Sequence, residues 1–173
     1  MTSAYHAALC EAMAELGRRP DALFLGQAVA YPGTAMTTTL RDVPPEKLIE
    51  LPVIEDAQLG FCTGLSLAGY LPISIYPRWN FLLLATSQLV LHLDKLGLYS
   101  RYFPRVIVRT AVATAQPLDP GPQHVGNYTA AYRAMLETVE VVELTTTEQV
   151  LPAYRRAANR AWSTLIVERT ELY

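Results

Sequence analysis

Apolar and polar positions alternate along this chain in two periods, and the switching between them predicts the fold. Tyr5, Leu9, Met13 and Leu16 fall on one face of a helix that Ser3 can cap and that Gly17-Arg18-Arg19-Pro20-Asp21 ends. Ala22 to Leu25 then reads as a short buried strand closed by Gly26, followed by a loop over 27–36. A short helix from Thr37 must stop at Pro44-Pro45. Leu48 to Leu51 is the next strand, with the apolar run continuing to Ile54, and a helix begins at Glu55. Gly60, Gly64 and Ala68 lie at helical spacing and predict that this helix packs its backbone closely against a neighbour. Leu71 to Tyr76 is strand-like, with Pro72 at its start.

Beyond it, Trp79 to Leu98 carries one long helical pattern, and Pro104 to Arg109 is a strand. A proline- and glycine-rich loop spans Gln116 to Gly126. A helix from Asn127 or Tyr128 to about Glu137 leads into a strand at Val139 to Val142. The last helix starts near Thr147, tolerates Pro152 in its first turns and ends near Trp162, before a closing strand at Leu165 to Val167. Strands alternate with helices throughout, and the strands are short, β-branched and apolar on both faces. That pattern predicts a single α/β domain over residues 1–173, a parallel β-sheet sandwiched by helices.

Composition narrows what such a domain does. Of the 173 residues, 51% are apolar and 17% charged, enough for a packed core and too little charge for a disordered chain. The net charge is −2 and no basic run is interleaved with aromatics, so nucleic acid is not an expected partner. Phe81 to Val90, the longest apolar stretch, is interrupted by Thr86, Ser87 and Gln88 and is too short to span a bilayer. No secretory leader is evident, and Cys10 and Cys62 lie far apart in no metal-ligand spacing, so a cytoplasmic protein with reduced thiols and no metal site of its own is expected. The chain has no G-x-G-x-x-G, no phosphate-binding P-loop, no G-x-S-x-G and no H-E-x-x-H. An α/β sheet without these needs another source of chemistry. Glu55, where a buried strand passes into a helix, stands where open sheets bind ligands, although a carboxylate in a first turn also suits the helix dipole.

Several segments, in order, resemble one family. Leu23-Phe24-Leu25-Gly26 is similar to its early "FLLGE" strand, and Pro52-Val53-Ile54-Glu55 to "TPISE". Phe61 to Gly69 with Leu71-Pro72-Ile73 is similar to "GxAxGxAxxGxRPI". Asn80-Phe81, with Ala85 and Gln88-Leu89-Val90, resembles a helix bearing "A-x-D-Q". Val106 to Thr110, Gln123-His124, and Val167-Glu168 with Leu172-Tyr173 resemble "PVxIRTP", "QHS" and "VxLExxxLY". The family is the pyrimidine-binding domain of thiamine diphosphate enzymes of the transketolase-like group, and the likeness is greatest to the beta subunit of the 2-oxoacid dehydrogenase decarboxylase component.

The resemblance implies a thiamine diphosphate-binding fold and a set of site residues. Glu55 would contact the aminopyrimidine ring and activate the coenzyme, since a buried carboxyl can share a proton with a ring nitrogen. Phe81 would stack on the ring, Val53 would wall it, and Gln27 would stand near it in place of the family's usual acidic residue. His124 would face the substrate or the diphosphate end. The family's serine after that histidine is replaced by Val125, and its "SGG" by Ser100-Arg101-Tyr102. The G-D-G motif that binds diphosphate and Mg²⁺ is absent. The implied assembly is therefore a hetero-oligomer such as α2β2, in which a partner subunit binds the diphosphate and Mg²⁺. The implied reaction makes or breaks a carbon–carbon bond beside a carbonyl, most simply the decarboxylation of a 2-oxo acid with acyl or aldehyde transfer, and the implied substrate is a small 2-oxo acid or aldehyde. The alternative is a non-catalytic scaffold or regulatory subunit of such an assembly, with the Gly60, Gly64 and Ala68 face as its contact.

Overall fold

The computed structural model describes residues 3–114 and 119–173. Six strands form one sheet: β1 (Ala22–Gly26), β2 (Leu48–Glu50), β3 (Leu71–Ile75), β4 (Ile107–Val112), β5 (Glu140–Glu143) and β6 (Thr164–Arg169). Their spatial order is β2-β1-β3-β4-β6-β5, and every pairing is parallel. α1 (Ala4–Gly17) precedes the sheet; parallel neighbours need crossovers, and five α-helices lie in the connections between strands: α2 (Glu55–Leu67), α3 (Trp79–Leu83), α4 (Leu96–Tyr99), α5 (Thr129–Met135) and α6 (Thr147–Asn159).

Successive strand side chains point to opposite faces, so each apolar strand feeds two cores. Phe24, Ile73, Ile107 and Ile166 pack with α1 and α6 residues such as Leu9, Met13, Val150 and Tyr154. Leu25, Val108, Leu165 and Val167 pack on the other side with Leu59, Cys62, Trp79, Leu82 and Tyr132. The expected sandwich is therefore present. The predicted face of α1 is buried, and the Ser3 hydroxyl accepts the His6 N–H at 3.0 Å. Gly26 is required where β1 meets β3, because a Cβ there would sit 2.5 Å from the Ile75 carbonyl oxygen.

Several boundaries differ from the expectation, each for a local reason. β2 stops at Glu50, since Pro52 has no N–H to continue a ladder, and 51–54 run irregularly with Val53 and Ile54 exposed. β4 begins at Ile107 rather than Pro104: the Arg105 N–H goes to the Ser66 hydroxyl at 2.6 Å, and the Pro104 carbonyl accepts from Ser163 at 2.7 Å. The segment from Thr37 is a 3-10 turn over Met36–Leu40. The last helix ends at Asn159, where Arg160 turns extended toward β6.

The largest departure is the stretch read as one helix from Trp79 to Leu98. It breaks into α3, a π-helical segment at Gln88–Leu93, and α4. Its pivot is Asp94, wholly buried, whose carboxylate accepts the N–H groups of Glu137, Thr138 and Val139 at 2.8–3.1 Å. The same bonds end α5 near Met135, while Asn127 caps its start by accepting the Thr129 N–H at 3.0 Å. The Gly60, Gly64 and Ala68 stripe also differs from the expectation. Gly60 lies near Gln88, but a Cβ on Gly64 would meet nothing within 4 Å, so no backbone within the described residues presses against it. The proline- and glycine-rich loop is described from Asp119 onward; its residues 116–118 lie outside the described residues.

Candidate functional site

The carboxyl ends of β2, β1, β3 and β4 are neighbours, with Gly26 opposite both Glu50 and Ile75, and Ile75 opposite Arg109. The residues singled out in the sequence leave the sheet along this one edge. Gln27 follows β1, Val53 and Glu55 follow β2, Phe81 follows β3, and His124 lies in the connection after β4.

Glu55 opens α2 and is 7% exposed. Its Oε1 is buried and has no hydrogen-bond partner. An unpaired polar atom in such a place costs stability, and that cost is not offset by any bond among the described residues. Its backbone is held firmly. The Tyr76 hydroxyl donates to the Glu55 carbonyl at 3.2 Å. One turn on, the Gln58 amide donates to the Ser74 hydroxyl at 3.0 Å and the Ile75 carbonyl at 3.1 Å, tying α2 to the end of β3. Burial pushes the Tyr76 phenol well above its ordinary range, so it remains a donor. Asp56, on the outer side, accepts from Ser87 at 3.0 Å and fastens α2 to the segment after α3.

Phe81 and Gln27 share a cleft of about 390 Å³, whose lining includes Thr34, Glu50 and Arg78. The loop after β1 is shaped by Glu50, whose carboxylate accepts the N–H groups of Ala28, Val29 and Ala30 at 2.6, 2.8 and 2.9 Å. Those bonds hold Ala28 in a left-handed conformation, with φ of 52°. The His124 ring lies 6.0 Å from that of Phe81, centre to centre, and its Nδ1 is 2.8 Å from Asn80 Oδ1. This contact fixes the orientation of the imidazole against the Asn80 side chain.

The structure thus puts Gln27 and Phe81 on one cleft, His124 beside Phe81, and Glu55 at the same sheet edge, with neither His124 nor Glu55 in the cleft lining. Val53 does not line the cleft and is 63% exposed. Glu50, Asn80, Tyr76 and Arg78 were not singled out from the sequence. Asn80 had a signal, since it stands beside Phe81 in a recognised motif. The others act through neighbours that only the strand order brings near. Among the described residues, no group of three or more His, Cys, Asp or Glu side chains could hold a metal ion, and no helix is long and apolar enough to cross a membrane.

The family model described as "Transketolase, pyrimidine binding domain" matches residues 1–173, the whole chain. No curated protein matches the sequence. Among solved structures, the chain is similar to one titled "Split gene transketolase, inactive beta4 tetramer", with a TM-score of 0.73 and 18% identity, over 96% of this chain and 51% of that one. It is also similar to the transketolase of Campylobacter jejuni subsp. jejuni NCTC 11168, with a TM-score of 0.76 and 15% identity, over 94% of this chain and 25% of that one. The chain therefore spans about half the length of the first structure and a quarter of the second. At such identities the likeness is one of fold, and the full-length match to the family model carries the assignment. This chain belongs to the family of transketolase pyrimidine binding domains.

Proposed function

We propose that this chain is the pyrimidine-binding subunit of a split thiamine diphosphate enzyme that makes or breaks a carbon–carbon bond beside a carbonyl, with a small 2-oxo acid or aldehyde as substrate. The observation that carries this reading is the buried, unpartnered Oε1 of Glu55 at the head of α2. The residues present suit the coenzyme. Glu55 offers its carboxyl to a ring nitrogen, Phe81 offers an aromatic face, and Gln27 offers a neutral amide beside it. When bound, thiamine diphosphate supplies a nucleophilic carbon that adds to a carbonyl and holds the charge left as an adjacent bond breaks.

The chain's own contribution is to position polar groups and exclude water. Glu55 offers its carboxyl in a site nearly closed to solvent, where a hydrogen bond to a ligand is stronger than in water. Tyr76 and Gln58 keep that carboxyl's backbone from shifting. His124, oriented by Asn80, sets an imidazole beside the Phe81 ring for proton exchange with a bound substrate.

A partner subunit would hold the diphosphate through Mg²⁺, which favours oxygen ligands. A shared site is supported by the large apolar side chains left exposed on α2 and on the segment that follows α3: Phe61 and Leu67 on the first, Leu84 and Leu91 on the second. The test reconstitutes the chain with a companion carrying the G-D-G motif and follows 2-oxo acid turnover. Glu55→Gln should lower turnover about 100-fold, the scale of a lost acid–base partner, with an unchanged circular dichroism spectrum. Full activity in that variant would remove Glu55 from the reaction and leave the scaffold reading in its place.

A further inference from the structure

Arg78 stands between β3 and α3, flanked by Tyr76, Pro77 and Trp79, all three buried. Its backbone is thereby fixed, and its side chain lines the 390 Å³ cleft together with Phe81 and Gln27. Among the described residues Arg78 makes no ion pair. Residues 1, 2 and 115–118 include no Asp or Glu that could supply one. The carboxylate that shares the cleft, Glu50, is already met by three backbone N–H groups on the opposite loop. The cleft therefore holds a guanidinium without an internal counter-ion, a few residues before the aromatic side chain assigned to the coenzyme ring. Its volume suits a small metabolite. A guanidinium presents a planar fork of donors that matches two oxygens of one anionic group. Gln27 and Thr34, on the same lining, are neutral polar partners for the remainder of such a molecule.

We propose that Arg78 binds the anionic substituent, a carboxylate or a phosphate, of the small substrate that enters this cleft. The proposal rests on the functional reading above and adds to it the residue that reads the substrate's charge. Its first test needs neither coenzyme nor partner, so its failure is separable from failure at Glu55. The isotopically labelled full chain is titrated with pyruvate, with inorganic phosphate and with neutral dihydroxyacetone, following the Arg78 Nε–H signal and the Gln27 and Thr34 amides. Pyruvate, phosphate or both shift these signals at millimolar concentration, and which of the two does so identifies the group that is read. Dihydroxyacetone leaves them in place. Arg78→Gln abolishes the response, and Arg78→Lys keeps a weaker one because an ammonium lacks the fork. If neither anion moves the Arg78 signal, or if Arg78→Gln responds like the wild type, the proposal is overturned. In the reconstituted enzyme, Arg78→Gln raises KM for the anionic substrate at least tenfold, and the loss falls on KM rather than kcat. A loss confined to kcat would overturn the assignment.

Discussion

Glu50 and Glu55 leave the same strand end and meet opposite surroundings. Glu50 is saturated by three N–H groups and shapes the loop after β1. Glu55 keeps a buried oxygen without a partner. A carboxylate already bonded by the backbone has little left to offer a ligand, so burial together with lack of a partner distinguishes the two. Phe81 belongs to the same argument. Removing an aromatic face from a stacked ring forfeits about 1 kcal/mol, so Phe81→Ala should weaken thiamine diphosphate binding by roughly fivefold to tenfold, as measured by calorimetry on the reconstituted assembly. Unchanged affinity would take Phe81 out of the site. Glu55, Phe81 and His124 could be singled out as candidates from the sequence because each lies in a short motif of recognisable composition. Arg78 and Glu50 were not. A lone arginine before an aromatic pair reads as surface, and a glutamate ending a strand reads as solvated, until β1 and β3 are known to flank each other.

At the scale of elements, Asp94 shows how one polar residue overrides periodicity. The apolar spacing from Trp79 to Leu98 is helical, but a continuous helix would have to bury Asp94 without partners. The segment passes through a π turn instead, and Asp94 reaches the chain entering β5. Burial pushes this carboxyl up. The N–H groups of Val139, Thr138 and Glu137 and the Lys95 ammonium outweigh burial and hold it below the usual carboxylate range. A depressed folded-state value means that the stabilisation is present above the unfolded value, about pH 4, and is lost as pH falls through the folded one. Asp94→Asn keeps one acceptor oxygen and does not titrate. It should be less stable than the wild type by about 2 kcal/mol at neutral pH. That gap should narrow below about pH 4 in denaturant titrations, where Asp94 protonates. A gap constant down to pH 3 would contradict the role given to these bonds. Strand positions were easier to read than this helix, since β-branched runs bounded by Gly and Pro leave few alternatives. Their ends shifted only where side chains such as Ser66 and Ser163 captured backbone groups from afar.

Across the whole molecule, charge among the described residues is also buried deeply where β4 meets β6. Arg109 and Glu168, on neighbouring strands β4 and β6, are both fully buried and paired, with the hydroxyls of Tyr154 and Tyr173 donating to the same carboxylate. This cluster binds the sheet centre to α6 and to Tyr173. The carboxyl edge is different, with a cleft on one side and exposed apolar side chains on α2 and beyond α3. A domain with a firm centre and an uncovered edge suits a site completed by a second protein. The chain alone should therefore bind thiamine diphosphate only weakly, with Mg²⁺ adding little, and should bind tightly once its companion is present. Tight Mg²⁺-dependent binding by the isolated chain in a fluorescence or calorimetric titration would exclude a divided site.

The solitary oxygen of Glu55 also sets selection for robustness against selection for work. A buried carboxyl oxygen with no partner weakens the folded chain by roughly 1–3 kcal/mol. Replacing it by methionine should raise the melting temperature of the free polypeptide while silencing the assembled enzyme. A library screened only for heat tolerance would discard this glutamate first.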